Sequence, residues 1–300
     1  MTKTAWVFPG QGSQTLGMGA DLLEHPIGKA KYAAAEEILG WSVPEICQND
    51  EDKLSRTLYT QPCLYVVESI LVDMLRSWQQ PALTAGHSLG EYVALYAAGV
   101  FDFETGLKLV KRRAELMDSA SGGEMVALLG FDRAKLEEEI RQTRDVVIAN
   151  DNSESQVVIS GTPEAVEKIL SQVKVKRSVK LNVSGAFHSP FMASAAAEFQ
   201  QILDSVTFKN AKVPVLSNVE PVPATDATAL KNRLSRQMTD SVRWREIMAN
   251  LPAQGIERVI EIGPSKVLTG LIKRACPNLI LENVSSAIDI LPKLAVLNYS

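Results

Sequence analysis

The stretch Ala85-Gly86-His87-Ser88-Leu89-Gly90-Glu91 lies between an apolar run that ends at Gly86 and a helix-like run over Tyr92–Ala98. It has the pattern G-x-S-x-G in the strand–turn–helix setting of a nucleophile elbow. Gly86 and Gly90 permit the strained backbone and close packing that let Ser88 project from such a turn. The pattern predicts that Ser88 is a nucleophile. The alternative is a glycine-rich turn whose serine only caps the following helix.

A serine hydroxyl is a weak nucleophile at neutral pH and needs a base. The chain has three histidines, His25, His87 and His188. His25 lies in a polar stretch without a motif. His87 adjoins Ser88, and the side chains of adjacent residues on an elbow usually point in different directions. We expect His87 to support the turn or the pocket. His188 is therefore the better candidate for the base, although alone it can equally be a hydrogen-bonded loop histidine.

Short apolar runs alternate with longer helical patterns along most of the chain, which indicates an α/β fold. The apolar spacing over Leu64–Trp78 predicts a helix with a buried face. With the elbow, this alternation predicts a large α/β-hydrolase-like domain with a parallel sheet. The strands predicted for it are Thr4–Phe8, Ala82–Gly86, Val213–Ser217 and Arg258–Ile262.

The middle of the chain has a different order of elements, βαββαβ, which is typical of a ferredoxin-like unit. We expect residues 124–186 to form this small subdomain, inserted into a large catalytic subdomain made of residues 1–123 and 187–300. The predicted strands are Glu124–Gly130, Val146–Ala149, Gln156–Ser160 and Arg177–Val183, and the predicted helices are Arg133–Thr143 and Pro163–Val173.

Composition limits the function classes. Lys+Arg 31 against Asp+Glu 35 gives a net charge of −4 over 300 residues, so no global basic field favours nucleic acid. No apolar run reaches the roughly 18 residues of a membrane span. The cysteines, Cys47, Cys63 and Cys276, have no CxxC spacing, which argues against a zinc site and indicates a reducing, cytoplasmic setting. We expect no metal and no bound cofactor.

A second glycine-rich segment, Phe8-Pro9-Gly10-Gln11-Gly12-Ser13-Gln14, also follows a predicted strand. It lacks the third glycine of a dinucleotide fingerprint, because position 15 is Thr15, and no phosphate-binding P-loop pattern occurs. Such a loop can instead bring the Gln11 N–H close to a ligand. The N–H of Leu89, at the start of the helix after Ser88, is the other natural oxyanion donor.

Four motifs occur in the same order as in the malonyl-CoA:acyl carrier protein transacylases of bacterial fatty-acid synthesis, which this chain resembles over nearly its whole length. They are Gly10-Gln11-Gly12-Ser13-Gln14, Gly86-His87-Ser88-Leu89-Gly90-Glu91, Gly185-Ala186-Phe187-His188-Ser189-Pro190 and Glu261-Ile262-Gly263-Pro264. The acyltransferase domains of polyketide synthases share them. The resemblance implies that malonyl-CoA is the donor and that the phosphopantetheine thiol of acyl carrier protein accepts the malonyl group.

The resemblance also implies individual roles. Ser88 corresponds to the acyl-accepting serine and His188 to its base. The family uses this serine–histidine pair without the carboxylate that completes a catalytic triad. Gln11 and Leu89 correspond to the backbone oxyanion donors, and the main-chain carbonyl of Gln237 to the group that orients the histidine.

Arg113 matches the arginine that holds the malonyl carboxylate in this family, and it follows Ser88 at the family's spacing of 25 positions. A guanidinium offers a carboxylate a planar, bidentate partner that lysine cannot reproduce. An esterase for neutral acyl groups has no use for such a residue. The alternative is a solvated helix arginine, which fits Lys111 and Arg112 better.

Phe187 resembles the malonyl-selective version of its motif, and we expect it to leave no room for an α-methyl group. With His87 and Arg113 it completes the predicted substrate-binding residues. Asp151 and Glu154 depart from the family, since relatives often carry an aromatic residue and proline there, near the pocket wall.

Carrier proteins are acidic, so a local basic face is expected to steer docking. The candidates are Lys174, Lys176, Arg177, Lys180, Lys273 and Arg274. We expect no nucleic-acid or membrane partner, and a monomer. The rival functions are a serine hydrolase or thioesterase with the same elbow, a non-catalytic carrier-binding subunit, and a malonyl transferase of a polyketide or malonate decarboxylase system.

Overall fold

The computed structural model describes residues 2–290 and contains two separate β-sheets. Met1 and residues 291–300, the last part of the predicted large subdomain, lie outside the described residues. In chain order the strands are β1 Thr4–Phe8, β2 Leu83–Gly86, β3 Glu124–Phe131, β4 Val146–Ser153, β5 Gln156–Gly161, β6 Val175–Lys180, β7 Val215–Leu216, β8 Arg258–Ile262 and β9 Ile280–Val284.

The larger sheet is parallel and has the strand order β7-β2-β1-β8-β9. Its central strand β1 is buried along its whole length, as expected for a parallel sheet covered on both faces. Strand β7 is shorter than the predicted Val213–Ser217, and β9 was not predicted. Most of β9 is only half-buried, because it is the edge strand.

Helices cover both faces of this sheet and connect its strands. In chain order the helices are α1 Pro26–Leu39, α2 Val43–Asn49, α3 Glu51–Leu54, α4 Thr57–Arg76, α5 Gly90–Ala97, α6 Phe103–Asp118, α7 Arg133–Arg141, α8 Pro163–Gln172, α9 Ala193–Ser205, α10 Ala227–Arg236, α11 Trp244–Ala253 and α12 Val267–Ala275, with short 3-10 turns at Ala20–Leu22, Pro190–Met192 and Ala287–Asp289. Within residues 2–290 no helix is long and apolar enough to cross a membrane.

Helix α4 begins two turns before the predicted Leu64. Several of its first residues are polar and do not fit the apolar spacing, yet Thr60 and Gln61 are fully buried. The Thr60 hydroxyl donates to the main-chain oxygens of Leu54 and Arg56, whereas Gln61 lines the functional cavity and accepts from Arg113. The burial of Gln61, against the hydrophobic pattern, is therefore a property of the site.

The smaller sheet is antiparallel, and its strand order is β4-β5-β3-β6. Helices α7 and α8 pack on it around a separate apolar core that includes Leu136, Ile159 and Val166. The closing strand ends at Lys180, so the predicted strand Arg177–Val183 was wrong at both ends. The Leu181 N–H still bonds Met125, and the chain then leaves the sheet towards the large subdomain.

Parallel pairing places the ends of β1 and β2 side by side, with Phe8 opposite Gly86. The two glycine-rich loops that follow them therefore meet at one edge of the sheet, the usual position of ligand sites in α/β folds.

Candidate active site

Ser88 occupies a sharp turn between β2 and α5, and its φ of 53° is in the left-handed region. A side chain at that φ is strained, and such strain is typical of functional sites. A Cβ on Gly86 would lie 1.9 Å from the backbone of Gly90, and a Cβ on Gly90 would lie 2.1 Å from the Phe8 oxygen. Both glycines are therefore required for the helix to start so close to the sheet. These features define a nucleophile elbow.

The hydroxyl of Ser88 lies 2.8 Å from Nε2 of His188. On the other side of the ring, Nδ1 lies 2.8 Å from the main-chain oxygen of Gln237. Because a carbonyl oxygen only accepts hydrogen bonds, Nδ1 carries the proton and Nε2 is free to accept the serine proton. His188 is 3% exposed, with a φ of 54°, so packing holds the ring in place beside the Ser88 hydroxyl.

Burial, together with the positive charge of Arg113, lowers the pKa of His188 to about 3. The imidazole is consequently neutral at physiological pH, as the accepting role requires.

The pH profile of acylation tests this assignment. The base works only when unprotonated, so activity is lost as the pH falls through the pKa of His188 and is flat above it. We expect kcat/KM for malonyl-CoA to change less than about twofold between pH 5 and 8, because this constant reports the free enzyme. A pKa at the ordinary value near 6.5 would instead cause a loss of about tenfold by pH 5.5. Initial rates in buffers of constant ionic strength decide between the two.

Arg113, on α6, lies against the nucleophile although it is only 1% exposed. Its Nη2 donates to the Ser88 hydroxyl at 3.0 Å and to Oε1 of Gln237 at 3.0 Å, and its Nη1 donates to Gln61 at 2.6 Å. Its Nε has no partner within residues 2–290, and no carboxylate of that part of the chain forms a salt bridge with it. A buried cation without an anion is costly, so this guanidinium is suited to receive one from a ligand.

Two backbone amides near Ser88 are free to bind an oxyanion. In the described part of the chain, the N–H groups of Gln11 and Leu89 have no acceptor, and both residues line the cavity that contains Ser88. The Gln11 side chain is fixed by hydrogen bonds with Thr57 at the start of α4. Gly10 allows this loop to approach the elbow, since a Cβ there would lie 2.4 Å from the His87 oxygen.

Three supporting residues were not predicted. Asn218 accepts from the Ser88 N–H at 2.7 Å and donates to the Gly86 oxygen at 2.6 Å, so it holds the elbow from behind. The buried carboxyl of Glu91 accepts from the Asn218 N–H and from the Gln237 amide, and burial raises its pKa. Asn218 lies two residues after β7, and this position just beyond the end of a parallel strand was a usable signal. Gln61 gave no signal, because it lies inside a helix.

His87 and Phe187 both line the cavity. The Nε2 of His87 lies 2.8 Å from Oδ1 of Asn152 in β4, and its ring packs beside Trp244. Burial lowers the pKa of His87, which leaves the ring neutral. His87 thus connects the elbow to β4 of the smaller sheet, while the buried Phe187 forms part of the apolar wall.

The cavity has a volume of about 260 Å³ and lies between the two sheets. The smaller sheet contributes Met125 and Asn150, and residues 181–183 close the same side. Asp151 and Glu154, which were expected near the pocket wall, do not line the cavity, and their carboxylates pair with Arg245 outside it. Within residues 2–290 no group of three or more His, Cys, Asp or Glu side chains is arranged to hold a metal ion.

The cavity thus brings together a serine on a sharp turn, a neutral histidine, two free amides and a buried unpaired arginine, the kinds of group that acyl transfer through a serine requires. The chain belongs to the acyl transferase domain family, whose model matches residues 5–295.

Among curated proteins, the malonyl CoA-acyl carrier protein transacylase of Synechocystis sp. is 59% identical over 289 residues, which are 96% of this chain and 99% of the relative. Its crystal structure superposes with a TM-score of 0.95 over 97% of this chain and 99% of that one. A polyketide biosynthesis malonyl CoA-acyl carrier protein transacylase of Bacillus subtilis is 42% identical over 90% of this chain and 96% of its own length. A malonyl-transacylase solved in complex with a type II polyketide acyl-carrier protein has a TM-score of 0.92 at 35% identity, over 98% of this chain and all of that chain.

Proposed function

We infer that this protein transfers the malonyl group from malonyl-CoA to the phosphopantetheine thiol of acyl carrier protein. This conclusion rests on the position of Arg113. Its guanidinium is buried, has no anionic partner in the described part of the chain, and donates from Nη2 to Oγ of Ser88 at 3.0 Å. It supplies the charge that a malonyl carboxylate needs, and a neutral acyl group would leave it unpaired. The names of the similar proteins agree with this substrate and this acceptor.

The geometry supports a two-step reaction. Nε2 of His188 takes the proton as Oγ of Ser88 attacks the thioester carbonyl, and the amides of Gln11 and Leu89 bind the oxyanion. The C–S bond then breaks, the CoA sulfur leaves with the proton from His188, and malonyl remains as an ester of Ser88. The carrier thiol enters, gives its proton to His188 and attacks the ester, and Ser88 recovers its proton as it leaves. The Gln237 carbonyl keeps the imidazole oriented throughout.

We assign residues 1–123 and 187–300 to an α/β-hydrolase-like catalytic subdomain, supported by the parallel sheet and the elbow. The segment 124–186 is the ferredoxin-like insertion, supported by its βαββαβ order and by a sheet in which the first and third strands are central. The protein acts in the cytoplasm and supplies malonyl units for fatty-acid synthesis.

Intact-protein mass spectrometry tests the function directly. Brief mixing with malonyl-CoA should add one malonyl group, and phosphopantetheinylated carrier should then remove it and gain the same mass. Acetyl-CoA serves as the donor without a carboxylate and should give a much weaker adduct. An adduct that decays to free malonate before any carrier is added would identify a hydrolase, and no adduct would refute the substrate.

Phe187 is proposed to exclude branched acyl groups. The Phe187→Ser substitution removes part of the apolar wall. In an apolar pocket, space for one additional methyl group changes the discrimination between two substrates by about 10- to 200-fold. We expect the ratio of kcat/KM for malonyl-CoA to that for methylmalonyl-CoA to fall at least about tenfold. The control is Phe191→Ser, a nearby phenylalanine that is 45% exposed. An unchanged ratio in Phe187→Ser would contradict the role.

The structure divides the six basic residues predicted for carrier docking into two groups. Lys174, Lys176, Arg177 and Lys180 are exposed along β6, whereas Arg274 lines a cleft with residues 153–155 beside the β4–β5 turn. Strands β4 and β6 are opposite edges of the small sheet, roughly 14 Å apart at the usual strand spacing. The six residues therefore do not form one patch. The β6 edge leads directly into residues 181–183 at the cavity, and this edge is the proposed docking face.

Charge reversal on the two edges separates them. We expect Lys176→Glu/Arg177→Glu to reduce kcat/KM for the carrier about tenfold at low salt, since steering by a charged face contributes factors of 10 or more to association. The rate of malonyl transfer to free pantetheine, an acceptor without charge, should be unchanged. The control is Lys273→Glu/Arg274→Glu. Equal losses in the two double variants would refute the assignment.

A further inference from the structure

The inserted segment meets the large subdomain along β4, directly beside the nucleophile. Two main-chain hydrogen bonds join the strand to Val242: the Val242 N–H donates to Ala149 at 2.8 Å, and the Asp151 N–H donates to Val242 at 2.9 Å. Asn150 lines the cavity, and Asn152 bonds His87, the neighbour of Ser88. The position of this one strand therefore sets one cavity wall and one contact of the elbow.

The side chain of Asp151 lies on the other side of this strand, between two arginines. Its Oδ1 accepts from Nη2 of Arg133 at 3.0 Å, and its Oδ2 accepts from Nε of Arg245 at 2.9 Å. Arg133 begins α7 in the insertion, whereas Arg245 belongs to α11 of the large subdomain. The carboxylate therefore fastens the two subdomains together across their boundary.

This ion pair differs from the surface pairs elsewhere on the chain. The side chains of Asp151 and Arg133 are 13% and 18% exposed, so solvent screens their charges only in part. Glu154 pairs with the same two arginines, at 2.8 Å from Arg245 and 3.4 Å from Arg133, but its side chain is 74% exposed and solvent screens its charge. Removing the Asp151 charge therefore leaves only this exposed carboxylate beside the two cations, whereas removing the Glu154 charge leaves the more buried Asp151 in place between them.

We propose that Asp151 is a positioning residue that, through Arg133 and Arg245, holds the inserted segment closed over the acyl-serine and so favours transfer to a thiol over hydrolysis. The proposal rests on the proposed function. Its physical basis is that Asn150 of β4 and residues 181–183 line the cavity that contains Ser88, so a displaced insertion opens one wall of that cavity. A looser insertion admits water to the ester, whereas the chemistry of acylation depends on Ser88, His188 and the two amides of the large subdomain.

The experiment uses the full chain and compares Asp151→Asn with Glu154→Gln as the matched control. Each enzyme is loaded with malonyl-CoA, freed of excess donor, and followed by intact mass without an acceptor and then with phosphopantetheinylated carrier. For Asp151→Asn we expect hydrolysis of the malonyl ester to accelerate at least about tenfold, with the rate of Ser88 acylation changed by less than about threefold. Glu154→Gln should match the wild-type protein in both rates.

A second variant separates positioning from general destabilisation. Arg245→Lys keeps a cation near Asp151 but loses the fixed guanidinium geometry, so its hydrolysis rate should lie between those of the wild-type protein and Asp151→Asn. A lower Tm with an unchanged ratio of transfer to hydrolysis in both variants would overturn the proposal. Failure of the wild-type protein to form an adduct would instead overturn the proposed function.

Discussion

Replacement of Ser88 by alanine is expected to abolish the malonyl adduct and to reduce transfer by a factor on the order of 10⁶, the loss found when a serine nucleophile acting with histidine is removed. The reason is that, among residues 2–290, Ser88 supplies the one hydroxyl that forms a hydrogen bond with the His188 ring. The residual rate would come from the oxyanion amides and from binding, which remain in the variant. Intact mass after mixing with malonyl-CoA measures the adduct, and labelled carrier measures transfer.

The control for this variant is Ser69→Ala, which removes a buried serine hydroxyl of α4 that has no hydrogen-bond partner in the described chain. It should retain the adduct and the transfer rate. Malonyl transfer by Ser88→Ala at more than about a thousandth of the wild-type rate would mean that another residue is the nucleophile.

Replacement of Arg113 by alanine is expected to reduce kcat/KM for malonyl-CoA by about 10²–10⁴, because removing one partner of a buried ion pair costs about 3–5 kcal/mol. The rate with acetyl-CoA, which has no distal carboxylate, should fall far less or rise. Arg113→Lys keeps the charge but cannot reproduce the two donors that now reach Ser88, Gln237 and Gln61. It should recover only part of the malonyl activity.

Arg112→Ala is the matched control, since this neighbouring arginine pairs with Glu115 and Glu198 on the surface. It should leave both donors unaffected. Equal losses for malonyl and acetyl groups in Arg113→Ala would contradict a role in binding the carboxylate and would leave Arg113 with a structural role in the elbow.

The main elements could be predicted from sequence because their signals are local. The elbow needs Gly86 and Gly90 for close packing, and the central strands are short apolar runs that the chain buries on both faces. The predicted ends of helices and strands were less accurate where residues of the site depart from the hydrophobic periodicity. Helix α4 begins with polar residues that face the site, and the chain leaves the small sheet after Lys180 to reach the cavity.

The supporting contacts could not be predicted, because they join residues that are far apart in sequence. Asn218 lies 130 positions from the Ser88 N–H that it accepts from, and no local pattern marks Gln61 as a partner of Arg113. Asp151 shows the same limit in another way. Sequence comparison identified it as a departure at the pocket, and only the fold shows that its carboxylate points to Arg133 and Arg245 instead.

Gln237 serves the site through two chemically distinct parts. Its side-chain amide accepts from Arg113 and donates to the main-chain oxygen of Ser88 and to the carboxyl of Glu91. Its main-chain oxygen accepts from Nδ1 of His188. Every amino acid has that main-chain oxygen. A scan by side-chain replacement will therefore detect only the first part, and the histidine will keep its acceptor whatever residue is encoded at position 237. The group that orients the base is specified by the path of the chain, so this part of the catalytic apparatus is shielded from point mutation.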